Sequence, residues 1–238
     1  MINLSNTETK ILLRKILDLV NSNLITTTEA WKLFSHAKQT EVLTAVGLTI
    51  SNDDINNLTD LKRKVVKELK SHSGKRCAYC RRPMGTHALS WHIEHIKPKS
   101  KFRELMFSMQ NLVYACIDCN FTKNSQIDNK REYVFDIINP KSKNFKYSEH
   151  LSYYQITTDQ LHLIKYEPTS ESGKQTYKRL FLAKIESLEI VSGLNSDIRD
   201  LANRVDEAVE QLDISQDAKD LAEFLTKLKL EMAMPKQN

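Results

Sequence analysis

The four cysteines of this chain constrain its fold more than any other feature. They form two pairs, Cys77-x2-Cys80 and Cys116-x2-Cys119, with thirty-five residues between them. A C-x2-C turn sets two thiolates on one side of a tight knuckle. Two such knuckles supply the four tetrahedral ligands of a closed, structural zinc site. The apolar run Ile11 to Val20 is broken by Arg14, Lys15 and Asp18, which makes it an amphipathic helix rather than a secretory leader. Without a leader, zinc is expected in preference to disulfides. The opposing reading is four buried or redox-active thiols. A structural zinc contributes folding free energy on the order of 10 kcal/mol, so whatever lies between the pairs is held in a small stapled core.

Between the pairs, Leu89 to Ile96 has strand composition and ends at Pro98. Phe102 to Gln110 is a connection of one or two helical turns, Asn111 to Cys116 a second strand, and the polar stretch from Asn120 to Asp128 a helix start. Glu94 and His95 are adjacent on the first strand. Adjacent strand residues point to opposite faces, so a shared site requires the backbone to turn near Pro98. A carboxylate that binds a hard cation, beside an imidazole that takes a proton near neutral pH, is what phosphodiester hydrolysis needs.

Charge points to the same kind of partner. Residues 61–101 hold twelve Lys/Arg against two acids, so this segment alone carries +10 while the whole chain carries +5. A basic block around a Cys/His cluster favours a polyanion. The bland alternative is a solvated helix face.

These residues together resemble the HNH endonuclease family with its ββα-metal fold, over roughly residues 75–125. The family pattern is a C-x2-C knuckle, an acid followed by His with Pro three on, an Asn opening the second strand, and C-x2-C followed by His or Asn and then Lys. The chain offers Cys77, Cys80, Glu94-His95, Pro98, Asn111, Cys116, Cys119, Asn120 and Lys123. The resemblance implies that His95 is the general base, oriented by Asn111 through a backbone hydrogen bond. It implies that Glu94 and Asn120 hold a catalytic divalent cation, and that the four cysteines hold a separate structural zinc. Glu94 stands where Asp is usual and Asn120 where His is usual. Both changes suit Mg²⁺ or Mn²⁺, and they leave room for His92, on the strand face of Glu94, as a further ligand. Lys123, Arg81, Arg82, Lys97, Lys99, Lys101 and Arg103 are candidate phosphate contacts, which add affinity without sequence information. The expected substrate is DNA, with RNA open.

The fold class expected is α+β: a zinc-stapled ββα-metal core flanked by helical regions. The expected organisation is an N-terminal helical region (1–72), the nuclease core (73–140), short strands and a helix completing it (141–194), and C-terminal amphipathic helices (195–238). Within these, Ser5/Glu8 and Thr26/Glu29 read as capping boxes, 51–57 as a loop, Thr59 as the cap of a third helix, Tyr133 to Ile138 as a strand and Thr176 to Val191 as a helix. No run of apolar residues is long enough to span a membrane, and a cytoplasmic location follows.

Further along, Asp136 to Pro140, Tyr166-Glu167 and Ser170 to Thr176 resemble the tail of HNH subunits in Septu and retron-linked anti-phage systems. Those subunits act beside an ATPase partner, which the resemblance implies here too. The segment from Asn195 to Asn238, with ten acids against six Lys/Arg, suits protein contact, with the ATPase or a second copy of the chain. The competing functions are a zinc-ribbon module that binds nucleic acid without cutting it, and an adaptor in which the zinc is only a staple.

Overall fold

The computed structural model describes residues 4–36, 47–85, 90–125, 132–157 and 161–190. The chain divides into two compact units, Met1–Leu151 with Pro168–Leu182, and Ser152–Glu167 with Ala183–Asn238.

Among the described residues, the first unit opens with three helices. α1 (Thr7–Asn21) is capped by Asn6, whose side chain accepts from the Thr9 amide at 2.8 Å. The cap is therefore one residue later than the Ser5/Glu8 box expected. α1 buries Leu12, Leu13, Ile16 and Val20. α2 (Thr27–Ser35) begins with the Thr26/Glu29 capping box and buries Ala30, Leu33 and Phe34. Residues 37–46 of the expected N-terminal helical region lie outside the described residues.

α3 (Asn52–His72) corrects the sequence reading. Ser51 caps it, and Asp54 closes the box from the third helical position. The expected loop at 51–57 is thus the first turns of a long helix. Thr59 lies inside it, donating its hydroxyl to the Ile55 carbonyl. Capping boxes written Ser-x-x-Asp satisfy the same orphan amides as Ser-x-x-Glu, and Asp53 and Asp54 also suit the positive helix end. Leu58, Leu61, Val65 and Leu69 form the buried stripe.

β1 (Trp91–His95) and β2 (Leu112–Cys116) follow as an antiparallel pair, with Trp91 opposite Cys116 and His95 opposite Leu112. Two 3₁₀ turns, Arg103–Leu105 and Met109–Asn111, occupy the connection. α4 (Ile117–Ser125) leaves β2 directly. It starts three residues before the expected Asn120, which puts Cys119 in its first turn. The order is ββα, in an α+β chain, as expected. β2 is buried at all five positions, with α3 and α4 both packed on it.

The segment from Tyr133 to Ile138 forms no strand; it leads irregularly, with a bend at Ile137, into the turn at Asn139-Pro140, where the Asn139 carboxamide accepts from the Lys141 amide. α5 (Glu171–Arg179) is capped by Ser170, so the expected helix starts five residues earlier and ends well before Val191. It docks closely. The Ile138 amide donates to Thr176 Oγ1 at 2.9 Å, and a Cβ on Gly173 would lie 1.9 Å from the His150 carbonyl oxygen.

Among the described residues, the second unit carries a small sheet of β3 (Leu151–Thr157), β4 (Leu161–Pro168) and β5 (Ser187–Ile190), in that order. β3 and β4 are where strands were expected. β5 replaces the end of the expected helix: Ser187-Leu188-Glu189-Ile190 alternates with period two and pairs antiparallel with β4. The C-terminal helices expected from 195 onward lie outside the described residues.

Candidate metal and active site

The four cysteines converge. Their Sγ atoms all lie within 4.8 Å of one another, and all four residues are buried. Cys80 and Cys116 Sγ are 3.7 Å apart, against roughly 3.8 Å for the edge of a tetrahedron with 2.3 Å zinc–sulfur bonds. The amides of Cys116 and Cys119 donate to the sulfurs of Cys77 and Cys116. Donor set, spacing and burial fit a structural zinc. Cys77 and Cys80 arise from the knuckle after α3, and Cys116 and Cys119 from the β2–α4 junction, so the cluster ties the helical region to the hairpin.

A second group of side chains gathers where β1 faces α4. His92 and Glu94 share one face of β1, and both meet the helix. Asn120 Nδ2 donates to His92 Nδ1 at 2.7 Å. Asn124 Nδ2 lies 3.3 Å from Glu94 Oε2, 2.7 Å from Asn120 Oδ1 and 2.8 Å from the Asn120 carbonyl. Three oxygens therefore converge on one electropositive NH₂ group. A carboxylate and an amide oxygen beside an imidazole are a hard donor set, which fits Mg²⁺ or Mn²⁺. The other carboxylate oxygen, Glu94 Oε1, accepts from Lys123 Nζ at 2.8 Å, in an ion pair that is buried on both sides.

His95 goes the other way. The ladder continues to the His95–Leu112 pair, so the backbone does not turn before His95, and the Glu94 and His95 side chains leave on opposite faces. His95 is buried, with Nε2 3.0 Å from the Met106 carbonyl. A carbonyl only accepts, so Nε2 carries the proton and Nδ1 is left as the basic nitrogen. Burial, with Lys99 adding to it, holds His95 well below its ordinary range, at about 3, and the ring is neutral. The carbonyl that orients it belongs to Met106, where Asn111 was expected. Asn111 instead builds the β1–β2 connection. Its side chain accepts from the Lys97 amide and donates to the Lys97 and Leu105 carbonyls, while its own carbonyl accepts from Ile96.

The basic candidates separate in the same way. Lys123 is not a surface cation; its ammonium holds Glu94 and donates to the His95 carbonyl at 2.7 Å. Arg82 donates to Cys80 and Cys116 Sγ and pairs with Asp118. That arrangement offsets thiolate charge and leaves little for phosphate. Arg81 lies over the Tyr147 ring and donates to the Ser73 carbonyl. Arg103 donates to the Val20 carbonyl and Asn23. Lys97 lies over the Phe102 ring. Lys99 feels both Glu94 and Lys123 and is itself felt by His95. Burial lowers its pKa, and its ammonium makes no hydrogen bond to the described residues. Lys123 is the cation in direct contact with both Glu94 and the His95 backbone, and Lys99 acts on Glu94 and His95 electrostatically.

Three participants escaped the sequence reading. Asn124 is one helical turn beyond Asn120, the spacing at which helix side chains meet, and that spacing was the available signal. Met106 contributes only a backbone carbonyl, which no side-chain pattern marks. Trp31, whose ring centroid lies 4.4 Å from that of His95, comes from a helix more than sixty residues upstream.

Comparison with curated proteins and with solved structures finds no match. A scan against protein families does: residues 77–126, which hold all four cysteines and every site residue from His92 to Asn124, match the family described as HNH endonuclease. Over that segment the chain carries an HNH-endonuclease family domain with a tetracysteine cluster suited to zinc.

Proposed function

We propose that the protein is a metal-dependent endonuclease that hydrolyses phosphodiester bonds, with DNA as the substrate. The observation that carries this reading is the convergence of His92, Glu94, Asn120 and Asn124 between β1 and α4, within the family-matched segment. His92, Glu94 and Asn120 are the residues that would hold a divalent cation. When bound, Mg²⁺ or Mn²⁺ there supplies Lewis-acid activation of the phosphate and charge for the departing oxygen.

The chain's own groups do the rest. Met106 fixes the tautomer of His95 with Nδ1 as its basic nitrogen. Because His95 leaves β1 on the face opposite Glu94, its role as the base that takes a proton from the attacking water rests on the family resemblance rather than on a shared pocket. Lys123 anchors the Glu94 carboxylate and the backbone of His95 at once. Lys99, in electrostatic reach of Glu94 and His95, is the cation placed to meet the phosphate. The cysteine cluster stands apart as the staple that holds β2 and α4 to the knuckle.

In this reading the protein is a cytoplasmic effector of anti-phage defence that works with an ATPase partner. The support is the resemblance of residues 136–140, 166–167 and 170–176 to the tails of such subunits.

The test is plasmid cleavage with Mg²⁺ or Mn²⁺, by wild type beside His95→Ala and Glu94→Gln. Wild type is expected to nick or cut, and both variants to lose at least 100-fold, the usual scale of general-base loss (~10²–10⁴). Salt-sensitive DNA binding with no cleavage under any metal would establish the zinc-ribbon module instead. A stable protein complex with no affinity for DNA would establish the adaptor.

A further inference from the structure

We infer that Trp31, on α2 and outside the family-matched segment, is a positioning residue for His95, so that the nuclease site is completed by the N-terminal helices. This inference rests on the endonuclease reading above for its kinetic consequence, though not for its geometry.

The indole meets the imidazole edge to face, with centroids 4.4 Å apart and planes at 70°. The same indole stacks on Phe107, centroids 6.2 Å apart and planes at 23°. Phe107 is the residue after Met106, whose carbonyl accepts the His95 proton. One side chain therefore packs against both the ring and the segment that holds it. Phe34, one turn along α2, braces the other two aromatics, 5.1 Å from Trp31 and 6.3 Å from Phe107.

α2 is itself fixed. The Thr26/Glu29 box sets its start, Lys62 of α3 donates to the Ser35 carbonyl at its end, and Arg103 ties the α1–α2 turn to the β1–β2 connection. His95 has two side-chain torsions, and the Met106 bond restrains only one nitrogen. Without the indole, the ring is free to swing into the vacated space, carrying Nδ1 away from the water it must activate. A general base displaced by about 1 Å costs on the order of 100-fold in rate.

The experiment uses the full, zinc-loaded chain, comparing wild type, Trp31→Phe, Trp31→Leu and Trp31→Ala. Steady-state DNA cleavage gives kcat and KM, and ¹⁵N spectra of the imidazoles give the His95 tautomer. The expected result is a kcat lowered roughly 10- to 100-fold in the Ala variant, an unchanged KM, and substantial rescue by Phe. The His95 nitrogens should pass from one Nε2–H tautomer toward an average of two. If the Ala variant loses zinc or its melting transition, Trp31→Leu, which keeps apolar volume without an aromatic edge, is read in its place. A folded Ala or Leu variant with wild-type kcat and an unmoved His95 spectrum overturns the inference. Should wild type cut nothing, the nuclease reading fails on its own, and the imidazole spectra alone decide whether Trp31 positions His95.

Discussion

Lys123 Nζ lies 2.8 Å from Glu94 Oε1, with only 5% and 6% of the two side chains exposed. A buried ion pair earns little net stability when intact, but removing one partner leaves an unpaired charge in a dry site at about 3–5 kcal/mol. Lys123→Met should therefore lower the unfolding free energy by about that amount in urea titrations of the zinc-loaded protein without added Mg²⁺ or Mn²⁺. Mn²⁺ should recover part of the loss, because a cation at Glu94 neutralises the orphaned carboxylate. A variant as stable as wild type would show that Glu94 is not buried and charged in the folded protein.

The cysteine cluster predicts one tightly held zinc per chain. Because the four thiolates join the knuckle after α3 to the β2–α4 junction, chelation should unfold the hairpin rather than merely silence it. Structural zinc contributes on the order of 10 kcal/mol, comparable with the whole stability of a typical domain at about 5–15 kcal/mol. Elemental analysis should give a stoichiometry of one. Stripping the metal should abolish the cooperative melt followed by circular dichroism, and Cys119→Ser should reproduce that loss. An intact melt after complete zinc removal would reassign the cluster to inert thiols.

How much of this was legible in the sequence follows from the kind of interaction concerned. The cysteine pairs, β1, β2 and the Thr26/Glu29 cap were readable because each is a local pattern with a fixed spacing. α3 was read too short because Ser51-x-x-Asp54 sits in a polar stretch, and its apolar stripe begins only at Leu58. β5 was read as helix because Leu188 and Ile190 fit either period in so short a run, and only pairing with β4 decides between them. At the site, His92, Glu94 and Asn120 were legible as residue types, and Asn120 touches His92 while Asn124 links it to Glu94. The opposite facing of Glu94 and His95 follows from one extra rung of ladder at Leu112. The two groups that hold His95, a backbone carbonyl and an indole from α2, leave no mark on the motif itself.

Gly173 gives a test of the packing of α5. A β-carbon there would meet the His150 carbonyl oxygen at 1.9 Å, and the obstacle is backbone, not a side chain that can move aside. Gly173→Ala should destabilise by about 3 kcal/mol, the upper part of the overpacking range, despite the better helix propensity of Ala. Thermal melts of Gly173→Ala against Lys174→Ala, an exposed neighbour in the same helix, separate the two effects. Equal melting points would mean that α5 does not dock on the His150 carbonyl.

Asn124 offers the sharpest test of the oxygen cluster, since its amide sits 3.3 Å from Glu94 Oε2 and 2.7 Å from Asn120 Oδ1. Asn124→Asp replaces the electropositive NH₂ with a second carboxylate oxygen of nearly the same shape. Without metal, two carboxylates at that distance repel, and one of them resists ionisation. The variant should therefore melt below wild type near neutral pH, with the deficit shrinking as the pH falls and the pair takes up a proton. With divalent metal the sign reverses, because the added charge becomes a ligand. Mn²⁺ should bind roughly tenfold tighter, the factor supplied by about 1.4 kcal/mol of extra attraction. Calorimetric titration of Mn²⁺ into wild type and variant checks this directly. Weaker or unchanged Mn²⁺ binding in a folded Asn124→Asp protein would mean that the cation is not held where these oxygens converge.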